Sequence, residues 1–259
     1  MLEEASAVAR DKFGSVTAVT KAADNNQVLT EADLAIGKLL IRSIQNAYPG
    51  DSIIDEEAGV IDKKSDYVWV IDPIDGTSNF AQGVPLYGIM VGLLQRGEPV
   101  AGAVTLPAFS EICVAEKGGG AWCNNQKLRV STQVRLRSAL VAYGVDAHPE
   151  DPDFTRKECS LLAEIILSVR NIRSSNSVFD AVMVAKGRYG AVLNRTSRIW
   201  DNVAQHVLIQ EAGGIYTDFF GKSVDYSTPL TKVGLNFSFC AAAPGLHNEL
   251  QKIIDGVTH

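Results

Sequence analysis

The chain has 259 residues, 46% of them hydrophobic and 21% charged, a globular balance with enough apolar material for a sizeable core. Its 24 basic and 30 acidic residues leave a net charge of −6, which argues against nonspecific nucleic-acid binding and suits an acidic cluster that a cation offsets. No apolar run approaches the ~20 residues that span a bilayer, no secretory signal opens the chain, and Cys113, Cys123, Cys159 and Cys240 show neither a CxxC pair nor zinc-ligand spacing, so free thiols in a reducing cytoplasm are expected.

Residues 2–13 (LEEASAVARDKF) read as a short helix. The polar, turn-rich stretch 20–32 is expected to form a mobile loop. A second helix is predicted from about Asp33 to Ala47, with Leu34, Leu40, Ile41 and Ile44 as its apolar face and Pro49-Gly50 as its stop. The period then changes. Segments 67–71, 88–94, 99–105 and 111–116 are short, rich in Val and Ile, and separated by Gly, Pro or Asn, as strands are. Gly118-Gly119-Gly120 lacks the Lys-Ser/Thr of a nucleotide-binding loop and reads as a tight turn, and Asn124-Asn125 marks a hairpin. Strands at 139–143 and 190–193 alternate with helices near 154–168, 176–187 and 202–212, the last stopping at Gly213-Gly214. The stretch HPEDPD at 148–153 divides one domain, 1–259, into lobes of about 1–147 and 148–259. This mixture predicts layered sheets and helices, an α+β fold.

The most informative stretch runs from Trp69 to Asn79. An apolar strand ends abruptly in Asp72 and Asp75, with Pro73 and Gly76 shaping the turn between and after them. Such a turn aims both carboxylates and the Ile74 carbonyl at one point, and hard oxygen donors of this kind suit Mg²⁺. An ordinary turn with solvated acids is the rival account. Other acids have equally plain rivals. Asp55-Glu56-Glu57 reads alone as a charged loop, Asp201 after Trp200 as a helix N-cap, and Thr30-x-x-Asp33 as a capping box. Thr77-Ser78-Asn79 begins a helix, whose first amides also suit a phosphate. His148, His206, His247 and His259 form no sequence cluster, and His206, inside a predicted helix, reads as structural.

Taken together, Glu56, then Asp72-Pro73-Ile74-Asp75-Gly76-Thr77, then Trp200-Asp201 before a helix ending Glu211-Ala212-Gly213-Gly214, resemble the inositol monophosphatase family. The resemblance covers essentially the whole chain. It implies an αβαβα layered sandwich, usually a homodimer. It also implies a Mg²⁺-dependent, lithium-sensitive hydrolase of a small phosphate monoester, using metal-activated water and about two or three Mg²⁺ ions per site. Carried over residue by residue, it implies metal ligation by Glu56, Asp72, the Ile74 carbonyl, Asp75 and Asp201. Asp33, Thr77 and Glu56 would be catalytic, and the amides of Gly76, Thr77 and Ser78 would hold the phosphate. Lys21 lies where the family often has a lysine on a mobile loop.

Substrate contacts fall to Asn176, Ser177 and Asn194, and there the chain departs from the animal pattern. Asn194 stands in place of a glutamate that contacts inositol hydroxyls, Asn176-Ser177 replaces a Gly-Thr pair, and Asp55 stands where glycine is common. The metal side is therefore expected intact and the sugar-facing side altered, which predicts a permissive enzyme for inositol-1-phosphate-like or related polyol phosphates. Fructose-1,6-bisphosphatase, histidinol-phosphate phosphatase and nucleotide 3′-phosphatase activities are the rivals on related folds. A regulatory binding protein contacting transcription machinery is the rival of another class. Neither a membrane nor a nucleic-acid partner is expected.

Overall fold

Helix α1 (Leu2–Lys12) buries only small residues, Ala5, Ser6 and Ala9, and so lies close on its neighbours. The computed structural model describes residues 1–15, 19–21 and 24–258, and side chains over 1–15 and 29–257. Within the stretch expected as a loop, the backbone forms antiparallel strands β1 (Val19–Lys21) and β2 (Asp24–Leu29), with Val19 opposite Leu29. The Lys21 side chain lies outside the described residues.

Helix α2 (Glu31–Ala47) begins two residues before the predicted Asp33, because the capping box is real. The Thr30 hydroxyl accepts from the Ala32 amide and the Asp33 carboxylate accepts from the Thr30 amide. Its buried face is Ala32, Asp33, Ile36, Gly37, Leu40 and Ile44, so Leu34, assigned to the apolar face, instead stands 53% exposed. Leu34 falls off the helical repeat that those positions share.

The larger sheet contains β3 (Ser52–Asp55), β4 (Gly59–Ile61), β5 (Tyr67–Asp75), β6 (Gly88–Gln95), β7 (Glu98–Leu106), β8 (Glu111–Glu116), β9 (Gly120–Cys123) and β10 (Gln126–Lys127). Their order is β10-β9-β8-β7-β6-β5-β3-β4, and among the described strands of this sheet β3 and β5 alone are parallel. Helix α3 (Thr77–Ala81) leaves the end of β5. Asn124 and Asn125, at φ +44° and +65°, make the expected hairpin turn between β9 and β10. All four cysteines are free, as expected, although Cys113 and Cys123 face each other across β8 and β9.

The second sheet contains β11 (Leu140–Gly144), β12 (Asn171–Arg173), β13 (Ala191–Asn194), β14 (Ile215–Thr217) and β15 (Phe239–Ala242), ordered β12-β11-β13-β15-β14. β11 precedes the 148–153 stretch yet belongs to this sheet. The remaining helices are α4 (Pro152–Ser168), α5 (Val178–Ala185), α6 (Ile199–Glu211) and α7 (Pro244–Thr258). α5 is shorter than the predicted 176–187 because Ser177 caps its start, its hydroxyl accepting from the Phe179 amide. α6 starts at Ile199 rather than 202. β4, β12, β14, β15 and α7 were not anticipated. The strands are too short to show alternation, while α7 does carry Leu246, Leu250 and Ile254 at helical spacing.

Three of the four apolar clusters among the described residues show the layers. Ala5, Ala9, Ile36 and Leu40 of α1 and α2 meet Ile53, Ile71 and Ile89 on the outer face of the larger sheet. Val182 and Ala185 of α5 with Ala204 and Leu208 of α6 fill the space between Met90 and Val104 on one side and Val192 and Ala241 on the other. Leu161 and Ile165 of α4 with Leu246 and Leu250 of α7 cover the far face of the second sheet. The result is the expected αβαβα sandwich. Among the described residues no helix is long and apolar enough to cross a membrane.

Helix α6 sits on the sheet backbone itself. Gly92 and Gly102 are directly paired across β6 and β7. A Cβ on Gly92 would lie 2.6 Å from Val203 Cγ1, and one on Gly102 would lie 2.4 Å from the Ala204 carbonyl oxygen. Only glycine permits this approach, and it sets where the N-terminus of α6 falls.

Candidate metal centre and adjoining cavity

Strand β5 keeps register with β6 through Asp72 opposite Met90, then bulges and resumes with Asp75 opposite Gly88. Pro73 occupies the bulge, where its missing N–H costs no ladder bond. The Ile74 side chain is buried, while its carbonyl accepts from the Thr77 hydroxyl at 2.7 Å. Gly76 has φ +84°, and a Cβ there would lie 2.8 Å from Ser177 Cβ, so conformation and space both require glycine. α3 starts immediately after it, with Ser78 exposed as its second residue.

Strand β5 and helix α6 bring three acids to this turn. Asp72 is 2% exposed, and its Oδ1 has no hydrogen-bond partner. Asp75 Oδ2 accepts from the amide of Val178, the first residue of α5. Asp201 Oδ2 accepts from the Arg198 amide at 2.6 Å. Each of Asp72, Asp75 and Asp201 offers a carboxylate oxygen, and these lie within 4.8 Å of one another. Burial pushes the Asp72 carboxyl well above its ordinary value, and the charges of Glu56, Asp75, Asp201 and Asp33 push it further. Asp75 is raised in the same way, by burial, then Asp201, with Glu56 and Asp180 adding to it and the Val178 amide opposing. Glu56, at the exit of β3, thus acts on both. An all-oxygen donor set with mutual repulsion and one orphaned buried oxygen fits a hard divalent cation.

Asp201 is not an N-cap. It is the third residue of α6, where its carboxylate reaches back to the amide of the capping residue. Asp33 holds the same position in α2 and divides its two oxygens. Oδ2 accepts from the Thr30 amide at 2.8 Å, and Oδ1 accepts from the Thr77 hydroxyl at 3.2 Å. Burial raises the Asp33 carboxyl, the Thr30 hydrogen bonds draw it back down, and the charge of Glu57 adds to the rise.

Beside the acids lies a cavity of about 60 Å³. Asp75 and Asp201 line it together with Asn176, Ser177 and Asn194, so the residues expected on the sugar-facing side do adjoin the acid cluster. Sequence reasoning missed two neighbours. Asp180, 2% exposed on α5, takes the Ser175 amide at 2.9 Å on Oδ2 and leaves Oδ1 without a hydrogen-bond partner. An acid inside VFDAVMVA was the available signal. Asp146, after β11, accepts from Asn176 and Thr196, and nothing in its local sequence marks it.

Two other expectations resolve as structural. His206 is buried, meets the Tyr226 hydroxyl at 3.0 Å and stacks on Tyr216. The Gly118–Gly120 turn donates its Gly118 and Gly120 amides, both at 2.9 Å, to the Glu211 carboxylate at the end of α6.

The inositol monophosphatase family profile matches residues 1–255. A fructose-1,6-bisphosphatase/inositol-1-monophosphatase of Thermotoga maritima is 31% identical over 95% of this chain and 89% of its own length. A Nus factor SuhB of Pseudomonas aeruginosa is 33% identical over 76% of this chain and 74% of its own. Among solved structures, a Thermotoga maritima IMPase superposes with a TM-score of 0.86 at 28% identity, covering 99% of this chain and 94% of that one.

Proposed function

Because the chain belongs to the inositol monophosphatase family, we propose that it is a Mg²⁺-dependent phosphatase of small phosphate monoesters, with its metal centre at Asp72, Asp75 and Asp201. The convergence of these three carboxylates, with Asp72 Oδ1 buried and lacking a hydrogen-bond partner, carries the reading. Glu56 and the Ile74 carbonyl complete the proposed donor set. The carbonyl has a second lone pair beside the one that Thr77 uses. When bound, Mg²⁺ supplies countercharge for a phosphate dianion and lowers the pKa of water.

The chain's own groups do the rest. The single Thr77 hydroxyl proton has two acceptors in reach, the Ile74 carbonyl at 2.7 Å and Asp33 Oδ1 at 3.2 Å; when it turns to Asp33, Thr77 Oγ1 is left to accept from a water and Asp33 to receive the proton that Thr77 passes on. The amides of Gly76, Thr77 and Ser78 at the start of α3 hold phosphate oxygens. Asn176, Ser177 and Asn194 face the alcohol. With a neutral amide at 194, myo-inositol 1-phosphate is matched or exceeded in kcat/KM by another polyol or sugar phosphate. The same reading includes lithium inhibition and a cytoplasmic homodimer.

A phosphate-release screen across inositol, sugar, histidinol and nucleotide monophosphates and fructose 1,6-bisphosphate tests it. Release that EDTA abolishes and Mg²⁺ restores is expected. Asp72→Asn should reduce turnover by orders of magnitude and remove the Mg²⁺-induced rise in melting temperature expected of the wild type. Near-normal turnover in that variant would refute the proposed ligand set. A second, regulatory role is favoured by the likeness to the Nus factor. Copurification of RNA or polymerase tests that role separately.

A further inference from the structure

Asn176 and Asn194 close on the same point of the cavity wall. A Cβ on Gly144 would lie 2.4 Å from Asn176 Oδ1 and 2.8 Å from Asn194 Nδ2, so both amide heads occupy space that only a glycine leaves open. The two ends of a side-chain amide are nearly alike in shape, and its partners decide which end faces a ligand. Here both partners are unambiguous. A backbone N–H can only donate, and the Thr196 amide, 2.8 Å away, takes Asn194 Oδ1. That leaves Asn194 Nδ2, a donor, at Gly144. A carboxylate can only accept, and Asp146 Oδ1, 2.7 Å away, takes Asn176 Nδ2. That leaves Asn176 Oδ1, an acceptor, at the same place.

Asp146 also controls the first amide. Its Oδ2 accepts from the Thr196 hydroxyl at 3.1 Å, which anchors the residue whose backbone orients Asn194. The Asn176 backbone sits at φ +54°, in the left-handed region that asparagine adopts more readily than most residues. One half-buried carboxylate therefore ties the segments after β11 and β13 to the one before α5.

Resting on the phosphatase reading above, we infer that Asp146 is a positioning residue that fixes the wall as a donor–acceptor pair matched to one free hydroxyl. A hydroxyl accepts from Asn194 Nδ2 while donating to Asn176 Oδ1. A hydrogen or methyl leaves both amide ends unpaired. An anionic group meets Asn176 Oδ1 and the Asp146 charge, and is disfavoured. The substrate class is a phosphate monoester that carries an uncharged hydroxyl within reach of this wall.

2-Hydroxypropyl phosphate against propyl phosphate is the matched pair, differing by one hydroxyl, with p-nitrophenyl phosphate as a general reporter of Mg²⁺-dependent hydrolysis. Wild type should favour the hydroxyl-bearing ester in kcat/KM by roughly tenfold, the worth of one or two hydrogen bonds. In Asp146→Asn the Asn176 amide is free to flip. The preference should shrink to about threefold or less, with the loss carried by KM for the hydroxyl-bearing ester. Thr196→Val removes only the second tie and should weaken the preference in smaller measure, which keeps the test open should Asp146→Asn fail to fold. Equal handling of the pair by wild type, or an unchanged ratio in both variants, overturns the inference while hydrolysis of p-nitrophenyl phosphate leaves the phosphatase reading standing. Failure to release phosphate from any ester overturns both.

Discussion

At Asp33 one oxygen closes the N-terminus of α2 while the other meets Thr77, so capping and chemistry are not competing accounts of this residue. They separate by measurement. Loss of the cap costs roughly 0.5–2 kcal/mol of stability, read from urea unfolding. Loss of the proposed proton path should lower kcat strongly in both Asp33→Asn and Thr77→Ala, with the double variant little worse than either single. Mild, additive kinetic losses would leave only the cap. His206 offers a test independent of the site. Burial draws its pKa from 6.5 down to about 4, so between those values the unfolded chain binds the extra proton. Stability is therefore fully present above about pH 6.5 and is lost as pH falls toward 4, by up to ~3 kcal/mol. His206→Gln should flatten the urea-midpoint profile across that window. A profile parallel to wild type would mean that other groups set the slope.

Helix α6 shows how an element places a site. Its seat on Gly92 and Gly102 carries Asp201 to the acid cluster, and its far end is tied down by Glu211. Gly102→Ala would drive a methyl into the Ala204 carbonyl and lift the helix. We expect a loss of about 1–3 kcal/mol or more, with weaker Mg²⁺ activation because Asp201 moves with its helix. Gly50→Ala, with open space around it, is the control and should do neither. An unchanged Mg²⁺ requirement in a destabilised Gly102→Ala would show that Asp201 is held by its own turn rather than by the seat. Gly92 and Gly102 fall inside the predicted strands 88–94 and 99–105, but nothing in the sequence says which helix they admit. The capping-box motif before α2 and the paired asparagines after β9 were legible, because each acts through its immediate neighbours.

The whole molecule is joined by its middle layer. The cluster between the sheets draws Met90 and Val104 from the first half of the chain and Val182, Leu208 and Ala241 from the second. We propose that lobes 1–147 and 148–259 unfold as one cooperative unit. Near-ultraviolet dichroism and calorimetry should then report a single coincident transition, whereas two separated transitions would mean independent lobes. At this scale the division between sequence and structure is clearest. The acidic motifs, the turn chemistry at Pro73 and Gly76, the long helices and the class of fold are written locally, in spacing and residue type, and a linear reading reaches them. Strands β4, β12, β14 and β15, the glycine seat of α6, and the roles of Asp146 and Asp180 are not. Most depend on residues far apart in the chain. Asp72 and Asp201 become one charge cluster, and Asn176 and Asn194 one donor–acceptor wall, only where packing closes the distance and excludes the water that would otherwise solvate them.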